Sequence, residues 1–156
     1  MCIKIVSMDK VLNAYENGEL VLWNTKDNQQ CILMVFKEPI LSMDTMPFQQ
    51  GWKIMVGGAC GLIPMIYMNP QLHSLSLIRC FDTQEQGIAS VANRQDGKIV
   101  LCGAWNGTFH VLGSKSFKPL GSLIHGTSIS SIVFSPNDNR VAIGGKDDRI
   151  TIWELY

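Results

Sequence analysis

The sequence predicts an all-β fold, a partial β-propeller of about four blades. A unit of 41 to 46 residues recurs along the chain, and each unit holds short apolar runs separated by turn residues. The apolar spacing of three and four positions that a helix requires does not run uninterrupted through any segment. Four short strands in a unit of this length are typical of one propeller blade.

The last unit shows the pattern most clearly. It has an apolar run at 129–134, a turn at 136–139, a second apolar run at 141–145 and an alternating strand that ends at Trp153. The polar turn before the third strand ends at Gly18, Gly61, Gly107 and Asp148 in the four units, so successive turns are 43, 46 and 41 residues apart. Five residues later stands an apolar side chain in each unit: Trp23, Ile66, Leu112 and Trp153.

Turn residues divide the first two units into strands. In the first unit, Glu16-Asn17-Gly18 separates the middle strands, and the predicted strands are 3–8, 11–15, 19–24 and 31–36. In the second unit the predicted strands are 40–46, 53–57, 62–68 and 72–80. Pro64 lacks a backbone donor, so we expect the third strand of this unit to be irregular.

The last two units follow the same order. Asp96-Gly97 and Asn106-Gly107 mark turns in the third unit, whose predicted strands are 87–93, 98–103, 108–112 and 118–124. The fourth unit has strands at 128–134, 140–144 and 149–154, and it lacks an outer strand. One repeat domain is therefore expected over 1–156, with blades at 1–36, 37–80, 81–124 and 125–156. Because no spare strand precedes Ile3, we expect an N-terminally truncated propeller.

Composition excludes several classes of function. The formal net charge is +0, which gives no electrostatic basis for binding nucleic acid or an anionic membrane. The longest apolar run, 31–36, is far too short to span a bilayer, and the N-terminus lacks the features of a secretory signal. These features predict a cytoplasmic or nuclear protein. The five cysteines lie far apart, so we expect buried, reduced thiols and no metal site.

The fourth unit resembles the WD40 repeat family. His125 stands eleven residues before Pro136, as in the Gly-His…Ser-Pro stretch of that family, and Asp147 stands six residues before Trp153, as in its Asp…Trp ending. The resemblance implies that His125, Asp147 and Trp153 occupy three positions of a structural tetrad of hydrogen-bonded side chains. Ile143 stands at the Ser/Thr position, so the network is expected to be incomplete.

A narrower resemblance covers nearly the whole chain. The segments 15–23, 38–44, 87–91 and 144–156 together are similar to the C-terminal half of a family that includes G-protein β-subunit-like proteins and ASTRA-associated protein 1. The resemblance implies a seven-bladed parent propeller. It also implies work beside the Tel2-Tti1-Tti2 co-chaperone in assembling phosphatidylinositol-3-kinase-related kinases.

We predict a non-catalytic scaffold that mediates protein–protein interaction, and catalytic interpretations compete with this prediction. His125 and Asp147 could form a triad with Ser128 or Ser135, although the repeat already gives both residues a structural role. A propeller enzyme with a site at the central channel would need several ionisable groups on the inner strands, which hold mainly Asp9 and Asp44. A true heterotrimeric G-protein β role is a third alternative. We predict no catalytic residue, no cofactor and no metal.

The turns between second and third strands are predicted to bind protein partners. Such turns share one rim of a propeller, and Trp105 lies in the turn of the third unit as a candidate anchor or as a cap on its own blade. Asn106, Lys146 and Glu16 are the other candidate contact residues. The incomplete ring predicts self-association or pairing with a missing N-terminal half.

Overall fold

The computed structural model describes residues 1–137 and 139–155, and every regular element in that part of the chain is a β-strand. Runs rich in Val, Ile and Leu form the strands, and polar or glycine-containing turns end them. The strands are β1 (Cys2–Ser7), β2 (Lys10–Ala14), β3 (Glu19–Asn24), β4 (Gln30–Met34), β5 (Ile40–Phe48), β6 (Gly51–Gly58), β7 (Leu62–Asn69), β8 (Ser74–Asp82), β9 (Ile88–Asn93), β10 (Ile99–Ala104), β11 (Thr108–Gly113), β12 (Pro119–Ile124), β13 (Ile129–Phe134), β14 (Arg140–Gly145) and β15 (Ile150–Glu154).

The strands form four antiparallel sheets in which each strand pairs with its neighbours in sequence. We call them blades 1 to 4, and their strand orders are β1-β2-β3-β4, β5-β6-β7-β8, β9-β10-β11-β12 and β13-β14-β15. The partial propeller predicted from the repeat is confirmed, including the fourth blade without an outer strand. Within the described residues, no strand covers the outer edge of β15.

The blades follow one another in an open arc. The inner strand β1 packs against β5, β5 against β9, and β9 against β13. No comparable packing joins β13 back to β1 in the described part of the chain. Over residues 1–137 and 139–155 the blades therefore form no closed four-bladed ring, and blades 1 and 4 each keep one face without a neighbouring blade.

Each inner junction between blades is filled by apolar side chains. We call the face that a blade turns to the preceding blade its front face, and the opposite one its back face. Leu12 and Leu22 on the back face of blade 1 share a buried cluster with Ile54 and Ile66 on the front face of blade 2. The next two junctions hold equivalent clusters, so the core consists of layers between blades.

Basic side chains link neighbouring blades on the rim formed by the turns between first and second strands and between third and fourth strands. The Lys53 ammonium is buried, donates to the backbone oxygen of Ser114 at 3.1 Å and lies 4.0 Å from the ring centre of Phe48. Burial lowers the pKa of Lys53, and the charges of Arg79 and Lys115 lower it further. Lys10 is likewise buried, with its ammonium 3.1 Å from Nδ1 of His73 in blade 2.

Blade 2 is irregular where Pro64 was expected to make it so. The ladder between β6 and β7 runs from Trp52–Met68 to Met55–Met65 and stops before Pro64. The β7–β8 register shifts between Met65 and Ile66. The expectation of buried cysteines is correct for Cys102 and wrong for Cys80, which is exposed because it lies on the outer strand β8. The other three, Cys2, Cys31 and Cys60, are half-buried.

Candidate functional site

The candidate site is the rim where the turns between second and third strands meet the loops that enter each blade. Antiparallel strands alternate direction, so these turns and loops lie on the same side of every blade. We call this side the upper rim and define it by the turns 15–18, 59–61, 105–107 and 146–149 and the loops 35–39, 83–87 and 125–128. Trp105 N donates to Gly87 O at 3.0 Å, and Lys146 N donates to Ser128 O at 3.0 Å. The scaffold thus fixes the position of each turn.

Glycine allows two of these turns to be tight. Gly18 and Gly107 have φ of 85° and 88°, in the left-handed region that favours glycine. A Cβ on Gly107 would also lie 2.7 Å from the backbone oxygen of Thr127. Asp148 holds the equivalent position in blade 4 with φ of 60°, which a short polar side chain tolerates better than most.

Trp105 is an exposed aromatic side chain on a fixed support. Its ring lies over Gly87, where an added Cβ would approach the ring to 2.6 Å. The indole is 41% exposed, which is high for the largest apolar side chain. Beside it is a shallow depression lined by Gln84, Glu85, Gln86, Trp105 and Asn106. The exposed indole and the depression together form a candidate contact surface on the upper rim.

A half-buried polar network lies beside this depression. Glu85 Oε1 lies 3.2 Å from His110 Nε2, and Glu85 Oε2 accepts a hydrogen bond from Asn106 Nδ2. Neither Glu85 nor His110 is among the residues that the sequence predicts to be functional. The two residues are 25 positions apart, so no local motif signals the pair. The network orders the Asn106 turn, and Trp105 is part of that turn.

The structure brings His125 and Trp153 together through a residue that was not expected. Thr151 Oγ1 lies 2.9 Å from His125 Nδ1 and accepts a hydrogen bond from Trp153 Nε1 at 2.8 Å. The network is incomplete, as expected, but because Asp147 does not join it and not because Ile143 leaves it without a hydroxyl. Thr151 pairs with Ile143 across the β14–β15 ladder, so it supplies the hydroxyl from the neighbouring strand on the same face.

Asp147 stays outside that chain of hydrogen bonds. Its Oδ1 accepts from Thr127 Oγ1 at 3.1 Å, and its Oδ2 lies 3.6 Å from Arg149 Nε. Desolvation raises the pKa of Asp147, but the bonds from Thr127 and Arg149 outweigh it and the pKa is lowered. His125 Nε2 is buried without a hydrogen-bond partner. The arrangement is therefore a three-residue bridge with Asp147 beside it.

The predicted contact residues occupy equivalent turns of different blades. Glu16 is in blade 1, Trp105 and Asn106 are in blade 3, and Lys146 is in blade 4, all of them exposed. They do not form one cluster, and only Trp105 and Asn106 line the same depression. A partner touching all four residues would have to extend along the arc.

The central side of the arc offers little for catalysis. The ionisable side chains on the inner strands are Cys2, whose thiol donates to Leu41 O at 3.1 Å, and Lys4 and Asp44, which pair with each other at 3.1 Å. Among the described residues, no group of three His, Cys, Asp or Glu side chains is placed to hold a metal ion. Nor does that part of the chain contain a helix long and apolar enough to cross a membrane.

Comparison with protein families gives one match. Residues 75–111 and 117–154 match the family described as WD domain, G-beta repeat. Solved structures agree on the fold. The computationally designed Ika4 protein superposes with a TM-score of 0.79 at 18% identity, covering 96% of this chain and 88% of that one. A chain of the mitotic checkpoint complex gives 0.86 at 11% identity, covering 99% of this chain and 48% of that one.

Curated relatives are longer than this chain. The mouse guanine nucleotide-binding protein subunit beta-like protein 1 is 28% identical over 148 residues, which make up 94% of this chain and 44% of the mouse protein. The ASTRA-associated protein 1 of Schizosaccharomyces pombe is 35% identical over 75 residues, 47% of this chain and 20% of that protein. The matched stretches span less than half of either relative.

Proposed function

Since residues 75–111 and 117–154 match the WD domain, G-beta repeat family and the chain forms four propeller blades, we propose that it is a non-catalytic scaffold that holds protein partners on its upper rim. The observation that carries this proposal is Trp105, exposed over Gly87 beside the ordered Glu85–His110 pair. A rigid support lowers the ordering cost of binding, and a fixed aromatic side chain is the type of residue that dominates protein interfaces.

The rival enzyme interpretation receives no support from the inner strands. A channel site would need several converging His, Asp or Glu side chains, and the inner strands supply one, Asp44, which is already paired with Lys4. His125 is likewise committed to Thr151. A scaffold requires none of these groups to react.

The partners we propose come from the resemblance. Two relatives carry the name ASTRA-associated protein 1, which supports an association of this chain with the ASTRA complex. We therefore propose the Tel2-Tti1-Tti2 co-chaperone and its phosphatidylinositol-3-kinase-related kinase clients as partners. The same role would place the chain in the cytoplasm or nucleus, which fluorescence microscopy of a tagged chain would check.

Affinity purification with mass spectrometry tests the proposal. The wild-type chain should recover co-chaperone subunits or kinase clients, and Trp105→Ala should lower that recovery at least about tenfold, as loss of an interface anchor does. Leu72→Ala is the matched control, because Leu72 is an exposed apolar residue in the turn between β7 and β8 on the opposite rim. Equal recovery by both variants, with both folded by circular dichroism, would contradict the assigned surface.

A further inference from the structure

The front face of blade 1 and the back face of blade 4 are exposed although both are apolar. Ile3 and Ile5 on the front of blade 1 are 55% and 77% exposed. Val133, Ile150 and Ile152 on the back of blade 4 are 59%, 74% and 69% exposed. Patches of this kind on a folded chain mark an interaction surface.

Strand register shows which buried positions these exposed ones correspond to. Ile3 pairs with Asn13 and Ile5 with Val11, as Ile132 pairs with Ile143 and Phe134 with Val141. The front face of blade 1 therefore matches the front face of blade 4, in which Ile132 and Phe134 are buried. Trp23 opposite Val11 matches Trp153 opposite Val141 in the same way.

The back face of blade 4 matches the back face of blade 3 position by position. In blade 4, Ala142 pairs with Val133 on one side and with Ile152 on the other. In blade 3, Leu101 pairs with Ala92 and with Val111 in the same arrangement. Ile150 opposite Gly144 likewise matches Phe109 opposite Gly103. In blade 3 these positions belong to the cluster buried against blade 4. The two open faces are thus the two complementary halves of the junction that blades 3 and 4 already form.

The geometry points to a second copy of this chain as the occupant of both faces. One copy supplies a back face and a front face, so a pair related by a two-fold axis forms two junctions at once and closes a ring. Eight blades fall within the range that propellers adopt. In each new junction Trp23 of one copy would pack on Ile150 of the other, as Trp153 packs edge-on against Phe109 at 5.2 Å.

One polar contact of the existing junction also has its counterpart. Ile132 N donates to Ser90 Oγ at 2.9 Å between blades 4 and 3. Ser131 is the equivalent of Ser90, because both pair with the matching glycines Gly144 and Gly103, and Ile3 is the equivalent of Ile132. The backbone amide of Ile3 in one copy would therefore donate to Ser131 in the other.

Sedimentation equilibrium of the whole chain over a wide concentration range tests the ring. A species of twice 17.4 kDa is expected. Ile5→Lys and Ile152→Lys should each weaken the dimer at least about a hundredfold, because each buries an unpaired ammonium in both junctions. Leu72→Lys, equally exposed but outside both faces, should leave the dimer unchanged. Circular dichroism confirms that each variant is folded.

Mixing the two disruptive variants distinguishes a front-to-back junction from any symmetric contact. The Ile152→Lys chain keeps an intact front face and the Ile5→Lys chain keeps an intact back face, so the mixture should regain a dimer through one junction. Ile3→Lys mixed with Ile5→Lys should not. A monomeric wild-type chain, larger open assemblies, or an Ile152→Lys chain that still dimerises alone would each overturn the proposal.

Discussion

Thr151 lies directly across the β14–β15 ladder from Ile143, and its hydroxyl joins His125 to Trp153 with distances of 2.9 and 2.8 Å. Thr151→Val removes that hydroxyl and keeps the shape of the side chain. We expect a loss of about 2 kcal/mol in the free energy of unfolding, because two half-buried ring nitrogens lose their partner. Urea denaturation followed by tryptophan fluorescence measures it.

Thr127→Val is the control for that substitution. Its hydroxyl bonds the carboxylate of Asp147 on the exposed turn, so its removal should cost less than about 1 kcal/mol. Equal losses for the two variants would mean that the bridge through Thr151 has no special weight.

Gly103 should not tolerate a methyl group. It lies in β10, and a Cβ there would come within 2.8 Å of Ile132 in the next blade. Gly103→Ala is expected to lower the free energy of unfolding by about 1–3 kcal/mol through overpacking of the junction. Gly121→Ala, on the outer strand β12 with open space around it, should change stability by less than about 0.5 kcal/mol. Thermal unfolding compares the two, and equal effects would contradict the packing argument.

Lys53 should stabilise the contact between blades 2 and 3. Lys53→Ala removes the bond to Ser114 O and the contact with Phe48, for an expected loss of about 1–3 kcal/mol. Lys98→Ala is the control, because that ammonium is exposed and reaches Asp96 only at 4.0 Å. Chemical denaturation of both variants at neutral pH checks the difference.

The lowered pKa of Lys53 adds a pH dependence with a definite sign. Between its folded pKa and the ordinary value of 10.5, the unfolded chain binds more protons at this site, so stability contributed by Lys53 rises with pH. The stability of the wild type relative to Lys53→Ala should therefore increase from neutral to alkaline pH. A difference that shrinks over this range would be inconsistent with burial of the charged form.

Asp96 should make the stability depend on pH in the acid range, whereas Lys53 does so in the alkaline range. Hydrogen bonds from Arg94 lower the pKa of Asp96 most, against a smaller desolvation effect, and the Lys98 backbone adds to the lowering. The stability that Asp96 contributes is present above its ordinary pKa of 3.8 and is lost as pH falls through the folded value. Asp96→Asn should flatten the acid side of the stability curve. A carboxyl titration at or above 3.8 by NMR would refute this.

The repeat was readable from sequence because its turns are local. Gly18, Gly107 and Asp148 take up left-handed backbone at a fixed distance from the next strand, and that chemistry appears directly in the order of residues. The same locality explains why the strand order and the short fourth blade could be predicted.

The candidate site was harder to predict from the sequence because its contacts join residues that are far apart along the chain. Glu85 meets His110 through the packing of a loop on a third strand, which no short motif encodes. The role of Thr151 depends on which residue the register places opposite Ile143. Trp105 was identified from its position in a turn, but its support over Gly87 required the folded blade.

Pairing of each strand only with its neighbours in sequence also governs how the chain can fold. A blade can complete its backbone hydrogen bonds as soon as its own strands are made, without waiting for distant segments. During synthesis the blades would then fold one after another, and each new blade would pack against the preceding folded blade. The slowest step should be the last docking, in which the front face of blade 1 and the back face of blade 4 meet their partner surfaces.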